Sequence, residues 1–479
     1  MTYFLEDTRK KIFLDQILSE YRPNSRVGLF FWSKMQPYFS TEEQQWNNDL
    51  EQIGWMIRAI KGDKSFSHEI NSLYVYLDDI DVLLKNLLED HWEAIDLLTD
   101  FFRIKQFLWF SHLLSLVLKK LDLKKLDGIE EEWVRSIDFD WISILEVLQP
   151  NGNGEYHKTF AFEDLDDAGL RRLRAFKRRL LKKEREYQAT KEIIVQRQLK
   201  KIEMIIKKKE KQQMLEAIEK IKPTFKYLLM AYYGWGKLEV VFQKARMALE
   251  TNSCRPQLTS SSKERQILIL EGFHPYFNKL WNKRRMEPIS LEIEQRQIIL
   301  YGANMSGKTV VLRTVGFLQA LAQFGFYVPA KQFESFFFDH LSILTGDYQN
   351  IEEGLSSFAS EISRLGKELI LSKPTLYLLD EIGKGTNPIE GEALAIAISR
   401  YLRIKEESFS IVVSHFPKLI LEKGLELYEM KEFHLKKVIQ GKMVYEGISI
   451  AENFNLPTSI IKEAKEYFRG NIDGKTSPK

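Results

Sequence analysis

Residues 302–309 read Gly-Ala-Asn-Met-Ser-Gly-Lys-Thr, a complete G-x-x-x-x-G-K-[ST] loop. Its chemistry is phosphate binding: Gly302 and Gly307 leave room for backbone N–H groups to approach phosphate oxygens, and Lys308 can reach the β- and γ-phosphates. Thr309 can hold Mg²⁺. Gly302, Ala303, Asn304, Met305, Ser306, Gly307, Lys308, Thr309 and the following Val310 are therefore the candidate contacts of a nucleoside triphosphate. Two further polar pairs end apolar runs. Leu376-Tyr377-Leu378-Leu379 leads into Asp380-Glu381, where the first acid could complete a Mg²⁺ shell and the second could polarise a water as general base. Ile411-Val412-Val413 leads into Ser414-His415, and His415 could sense a γ-phosphate from a neighbouring strand tip or serve a structural end.

These residues need strands that end together and helices that begin there. Apolar runs at Ile267–Leu270, Ile298–Leu300, Leu376–Leu379 and Ile411–Val413 alternate with helical spacing at 308–325, 355–372 and 391–405. That is the rhythm of a mostly parallel sheet covered by helices. Residues 1 to about 150 carry spacings of three and four instead, as in Ile80 to Leu88 and Ile95 to Leu108, which predicts a helical region. Gly152-Asn153-Gly154 predicts a turn, and polar Asn252–Ser262 a boundary. From Leu170 to Ile221 there is no Gly or Pro, which predicts one or two long exposed helices, an antiparallel pair being one solution, with Pro223 ending the run.

Length and charge narrow the class. A chain of 479 residues exceeds one ordinary core, so two or three domains are expected. The single cysteine, Cys254, forms neither a disulfide framework nor a zinc site alone. The N-terminal residues lack a basic stretch followed by an apolar core, and the apolar run near Phe107–Leu118 is too short to span a bilayer, so a cytoplasmic location away from membranes is expected. Net charge is only +3, but Arg171 to Lys222 holds 19 Lys or Arg against 7 Asp or Glu, leaving the rest of the chain net acidic. A run of this kind suits a nucleic-acid backbone or a solvated helical face. Its aromatics, Phe176 and Tyr187, are too few for base stacking on single strands.

Gly302–Thr309, Tyr327-Val328-Pro329-Ala330, Gly354-Leu355-Ser356-Ser357-Phe358-Ala359-Ser360-Glu361, Asp380-Glu381-Ile382-Gly383-Lys384-Gly385-Thr386-Asn387-Pro388 and Ser414-His415 occur in one order. In that order they resemble the MutS family of DNA mismatch repair ATPases over about residues 266–470. The resemblance implies an α/β P-loop ATPase domain with an ABC-like, mostly parallel sheet, preceded by an all-α core and long lever helices. The implied domains are a helical core at 1–150, levers and a return to the core at 151–262, and the ATPase domain at 263–479. The cofactors would be ATP and Mg²⁺, the latter held by Thr309 and Asp380. Glu381, Lys308 and His415 would be catalytic. A homodimer would bury each nucleotide, with Ser356 and Ser357 facing the partner's γ-phosphate, and Ile448–Pro457 with Ile460–Ala464 looks like the closing dimerisation segment. The levers would close on duplex or branched DNA when ATP binds. His274, in Phe273-His274-Pro275, falls where the family has a His-Pro pair, near the nucleotide or in a structural role.

The pattern also departs from the family. Lys384 stands for its usual arginine, and Asn387-Pro388 for its Ser-Thr. Phe4-Leu5-Glu6 matches the letters of the family's Phe-x-Glu wedge, but its surroundings do not resemble the mismatch-reading domain, so mismatch reading is not expected. Nothing resembling the small endonuclease domain of the recombination-suppressing branch follows residue 470. A rival function is a protein client: short MutS-like chains include the ATPase subunit of reactivases for cobalamin-dependent lysine aminomutases, and Phe102–Leu108 is similar to theirs. A scaffold with a dead nucleotide site fits less well, because every catalytic position is chemically intact.

Overall fold

The computed structural model describes residues 3, 6–63, 65–91, 96–120, 136–149, 168–184, 189–260, 266–280, 287–303, 306–345, 357–406, 408–422, 425–431, 434–439, 448, 451–452 and 456–473. The chain forms two compact units that interleave in sequence. One comprises Met1–Tyr21, Gln36–Leu50 and Lys244–Lys479; the other comprises Arg22–Met35 and Glu51–Gln243.

Among the described residues the first unit holds ten strands: β1 (Gln257–Thr259), β2 (Ile267–Gly272), β3 (Ile289–Ile293), β4 (Gln297–Gly302), β5 (Gln332–Phe336), β6 (His340–Leu344), β7 (Thr375–Asp380), β8 (Phe409–Val413), β9 (Glu426–Lys431) and β10 (His434–Val438). Six of them form a sheet in the order β10-β9-β4-β8-β7-β6, parallel except where β10 turns back on β9. Their near-continuous apolar sequences fit burial on both faces. On one face Ile299, Tyr301, Tyr377, Leu379 and Val412 pack with Leu365 of the helix Ser357–Leu369 and with Ala395 and Leu402 of the helix Pro388–Ile404. The opposite face carries the helix Lys308–Gln323; a Cβ placed on its Gly316 would sit 3.0 Å from Leu378 Cδ1. Register brings three strand ends together, with Leu300 and Asp380 both paired to Val413.

A smaller mixed sheet runs β1-β5-β2-β3. The polar stretch read as a boundary supplies β1, which pairs parallel with β5, and Cys254 bridges to Val328. Residues near the N-terminus also belong to this unit: Leu341 N donates to Tyr3 O at 3.0 Å, and Tyr3 Oη donates to Gln323 Oε1 at 2.7 Å. Helical spacing reveals which face of a segment is apolar, not what covers it.

Every regular element of the second unit, among the described residues, is helical. The run without Gly or Pro folds as two helices, Ala168–Glu184 and Ala189–Ile221, with residues 185–188 outside the described set. Arg174 pairs with Glu210 at 3.0 Å and Lys177 with Glu203 at 2.9 Å, so the two helices run antiparallel. Leu170, Leu180, Val195, Leu199, Ile202 and Ile206 fill the seam. Pro223 sits in a 3₁₀ turn, Lys222–Thr224, before the helix Phe225–Glu250 begins. No helix among the described residues is long and apolar enough to cross a membrane.

Candidate nucleotide site

The site grows from the adjacent ends of β4, β7 and β8. Gly302 closes β4 with φ of 150°, and a Cβ there would lie 2.1 Å from Met430 O on β9, so the strand leaves the sheet through a position only glycine fits. Gly307, at φ 105°, is the N-cap of the helix Lys308–Gln323. That turn aims a helix N-terminus at whatever the loop holds, the arrangement that favours an anion. Lys308 is buried, and its Nζ donates to Gly302 O at 2.9 Å and Ala303 O at 2.5 Å, fixing the ammonium across the loop. Ser306 Oγ is buried with no hydrogen-bond partner among the described residues. Asn304 and Met305 lie outside them.

Thr309 Oγ1 donates to Asp380 Oδ2 at 2.6 Å, joining the first helical turn to the end of β7. Burial raises the Asp380 carboxyl and the charge of Glu381 adds to it, against the Thr309 hydrogen bond and the charges of Lys308 and Arg313. Two hard oxygens side by side, one anionic, suit Mg²⁺ rather than a thiophilic metal.

Glu381 takes φ of 52°, the left-handed region that a side chain adopts at a cost, and its N donates to Val413 O at 3.1 Å. Its carboxylate accepts from His415 Nε2 on one oxygen and from Lys384 Nζ, at 2.5 Å, on the other. Burial would raise this carboxyl, but those two partners outweigh it and bring it down to about 2. Gly383 makes the following turn at φ 87°; a Cβ there would lie 2.6 Å from Gly391 O in the first turn of Pro388–Ile404. Asn387 caps that helix by accepting from Ile389 N at 2.9 Å, with Pro388 at its first position, so the Asn-Pro pair is a sound helix start.

The loop, Thr309, Asp380, Glu381 and His415 thus converge. Ser356 lies outside the described residues, and Ser357 opens the helix Ser357–Leu369. His274 takes the structural alternative: it is buried, Nε2 donates to Ile12 O at 2.9 Å, Nδ1 accepts from Tyr276 N at 3.3 Å, and its ring lies 4.2 Å from that of Phe317. Burial pulls it down to about 4. Sequence reasoning gave no role to Glu361, buried on Ser357–Leu369, whose carboxyl is pushed up to about 7 by burial, with Lys11 opposing and Asp380 adding. Nor did it give one to Lys384, marked only as a departure from a pattern.

The family model for MutS domain V matches residues 298–470, which contain the phosphate loop, Glu361, Asp380, Glu381, Lys384 and His415. The chain is 36% identical over 247 residues to the Endonuclease MutS2 of Fusobacterium nucleatum, covering 48% of this chain and 30% of that protein. It is 32% identical over 247 residues to the Endonuclease MutS2 of Acetivibrio thermocellus, with the same coverage, and 30% identical over 282 residues to the DNA mismatch repair protein MutS of Ruminiclostridium cellulolyticum, covering 55% of this chain and 31% of that protein. The matched stretch spans about a third of the length of these relatives.

Proposed function

We propose that this chain, similar to MutS domain V over residues 298–470, is an ATP-dependent DNA-binding protein in which ATP binding and hydrolysis at a dimer interface switch a helical clamp. The observation that carries this is the joined set Thr309–Asp380 and Glu381–His415–Lys384 at three adjacent strand ends. Lys308 and the loop N–H groups hold the triphosphate. Thr309 and Asp380 would hold Mg²⁺, which would supply neutralisation of phosphate charge. Glu381 orients the attacking water and takes its proton, while His415 and Lys384 keep that carboxylate ionised and aimed. The C-terminal helix Thr458–Asp473 contributes to dimerisation. The basic antiparallel pair is the DNA-contacting lever. The relatives reported above are named for endonucleases and mismatch repair, and none of those names favours the aminomutase-reactivase alternative.

The test is ATPase activity of the purified protein titrated with duplex, mismatched and branched DNA at low and moderate salt, beside Glu381→Gln. A rate that DNA alters, with the effect fading steeply as salt rises, is expected. A basal rate that no DNA changes would overturn the DNA-clamp proposal and return a protein client to first place.

A further inference from the structure

The helix that starts at the phosphate loop is held with unusual completeness at its other end. Its last carbonyls have no partners within the helix and must find them elsewhere. Ala320 O accepts from Phe324 N at 2.9 Å, Ala322 O from Trp46 Nε1 at 2.7 Å, and Gln323 O from Tyr38 N at 2.7 Å. Just beyond, Phe324 O and Gly325 O both accept from Lys244 Nζ, each at 3.0 Å. The ammonium also lies 4.6 Å from the ring centre of Phe326. A buried cation at the negative pole of a helix is stabilised by that dipole, and here three acceptor groups surround it. Lys244 is 6% exposed and burial pulls it down to about 8 against the opposing charge of Asp49, so the carbonyls of the helix end and Asp49 together offset its desolvation.

Lys244 is carried by Phe225–Glu250, the helix that follows the basic pair in the chain. Its neighbour Gln243 is fully buried, and neither amide atom has a hydrogen-bond partner among the described residues. Adjacent positions therefore hold one side chain that makes two hydrogen bonds to a helix end and one whose amide atoms make none among the described residues. An idle buried amide costs free energy that a second arrangement of the helix could recover.

We propose that Lys244 is a positioning residue through which the nucleotide loop and the helix Phe225–Glu250 bias each other. Phosphate drawn to the N-terminus of Lys308–Gln323 fixes that helix, its far end fixes Lys244, and Lys244 fixes the helix that bears it. The inference rests on nucleotide binding at the loop but not on DNA as the client. It predicts that substituting Lys244 breaks transmission more than it breaks binding.

The experiment is hydrogen exchange by mass spectrometry on the full chain, with and without Mg²⁺ and a non-hydrolysable ATP analogue, alongside affinity for a fluorescent nucleotide. In the wild type, exchange should slow about tenfold in both 308–323 and 225–243. Lys244→Met, or the milder Lys244→Gln if Met folds poorly, should keep affinity within about threefold and keep protection near Lys308, yet lose it across 225–243. Trp46→Phe removes a neutral donor from the same helix end and should still transmit. Transmission intact in both Lys244 variants, or lost equally in Trp46→Phe, would overturn the inference. Wild-type binding with no change in 225–243 would sink this inference alone, whereas failure to bind nucleotide would sink the nucleotide-binding proposal and this inference with it.

Discussion

Glu381 is the residue at which competing forces are most evenly set. Burial alone would make it a poor base by keeping its proton, and the left-handed backbone costs on the order of 1–3 kcal/mol. His415 and Lys384 reverse the first effect, and the bond from Glu381 N to Val413 O holds the second in place. Glu381→Gln keeps the shape but cannot take a proton, so turnover should fall by about 10²-fold or more while nucleotide affinity survives. Lys308→Ala removes the ammonium from the loop and should abolish binding itself. Steady-state turnover beside equilibrium binding separates the two, and normal turnover in either variant would defeat the assignment. The loop and Asp380-Glu381 were legible because each is a short run of fixed residue types and spacings. Lys384 was not, since nothing in a lysine three residues after a glutamate says that a tight turn will bring it back onto the carboxylate.

At the scale of elements, strands buried on both faces announce themselves as apolar runs, and β2, β4, β7 and β8 lie where such runs stand in the sequence. Their lateral order does not. That β8 lies between β4 and β7 depends on crossover helices choosing a face, which no run of residues encodes by itself. Helix starts hide similar long-range partners. Ser25 caps Arg26–Ser33 by accepting from Gly28 N at 3.0 Å, and buried Glu239 accepts from Asn24 N at 2.6 Å and from the Ser25 hydroxyl. Burial pushes the Glu239 carboxyl up to about 7 despite those bonds, from an ordinary 4.5. The folded state therefore holds a proton that the unfolded chain releases between those values, and the stability this provides is present below about 4.5 and lost as pH rises through 7. Glu239→Gln carries no such proton. Its stability relative to wild type should improve by roughly 1–3 kcal/mol between pH 5 and pH 8. Urea unfolding at the two pH values reads this directly, and a constant difference would mean that Glu239 stays ionised throughout.

For the whole molecule the decisive quantity is how charge is distributed, not its sum of +3. The antiparallel pair spends some of its cations internally: Arg174 and Lys177 face Glu210 and Glu203, while Arg171, Arg172, Arg178 and Arg179 on the same helix are exposed. Surface ion pairs between helices add little stability, so the exposed arginines are not needed to hold the pair together. Leu170, Leu180, Val195, Leu199, Ile202 and Ile206 do that. If the pair grips DNA as proposed, exposed cations displace counterions from phosphates, and each contact contributes about 0.9 to the slope of log affinity against log salt. Replacing those four arginines by Gln should weaken binding to every DNA sequence alike and flatten the slope by as much as about 3.6. Arg174→Gln breaks an internal pair instead and should leave the slope nearly unchanged. Fluorescence anisotropy across a salt series distinguishes the two variants. Equal slopes in the wild type and the fourfold variant would mean that these arginines make no phosphate contact, and the excess charge of the pair would then have to be explained as a solvated face.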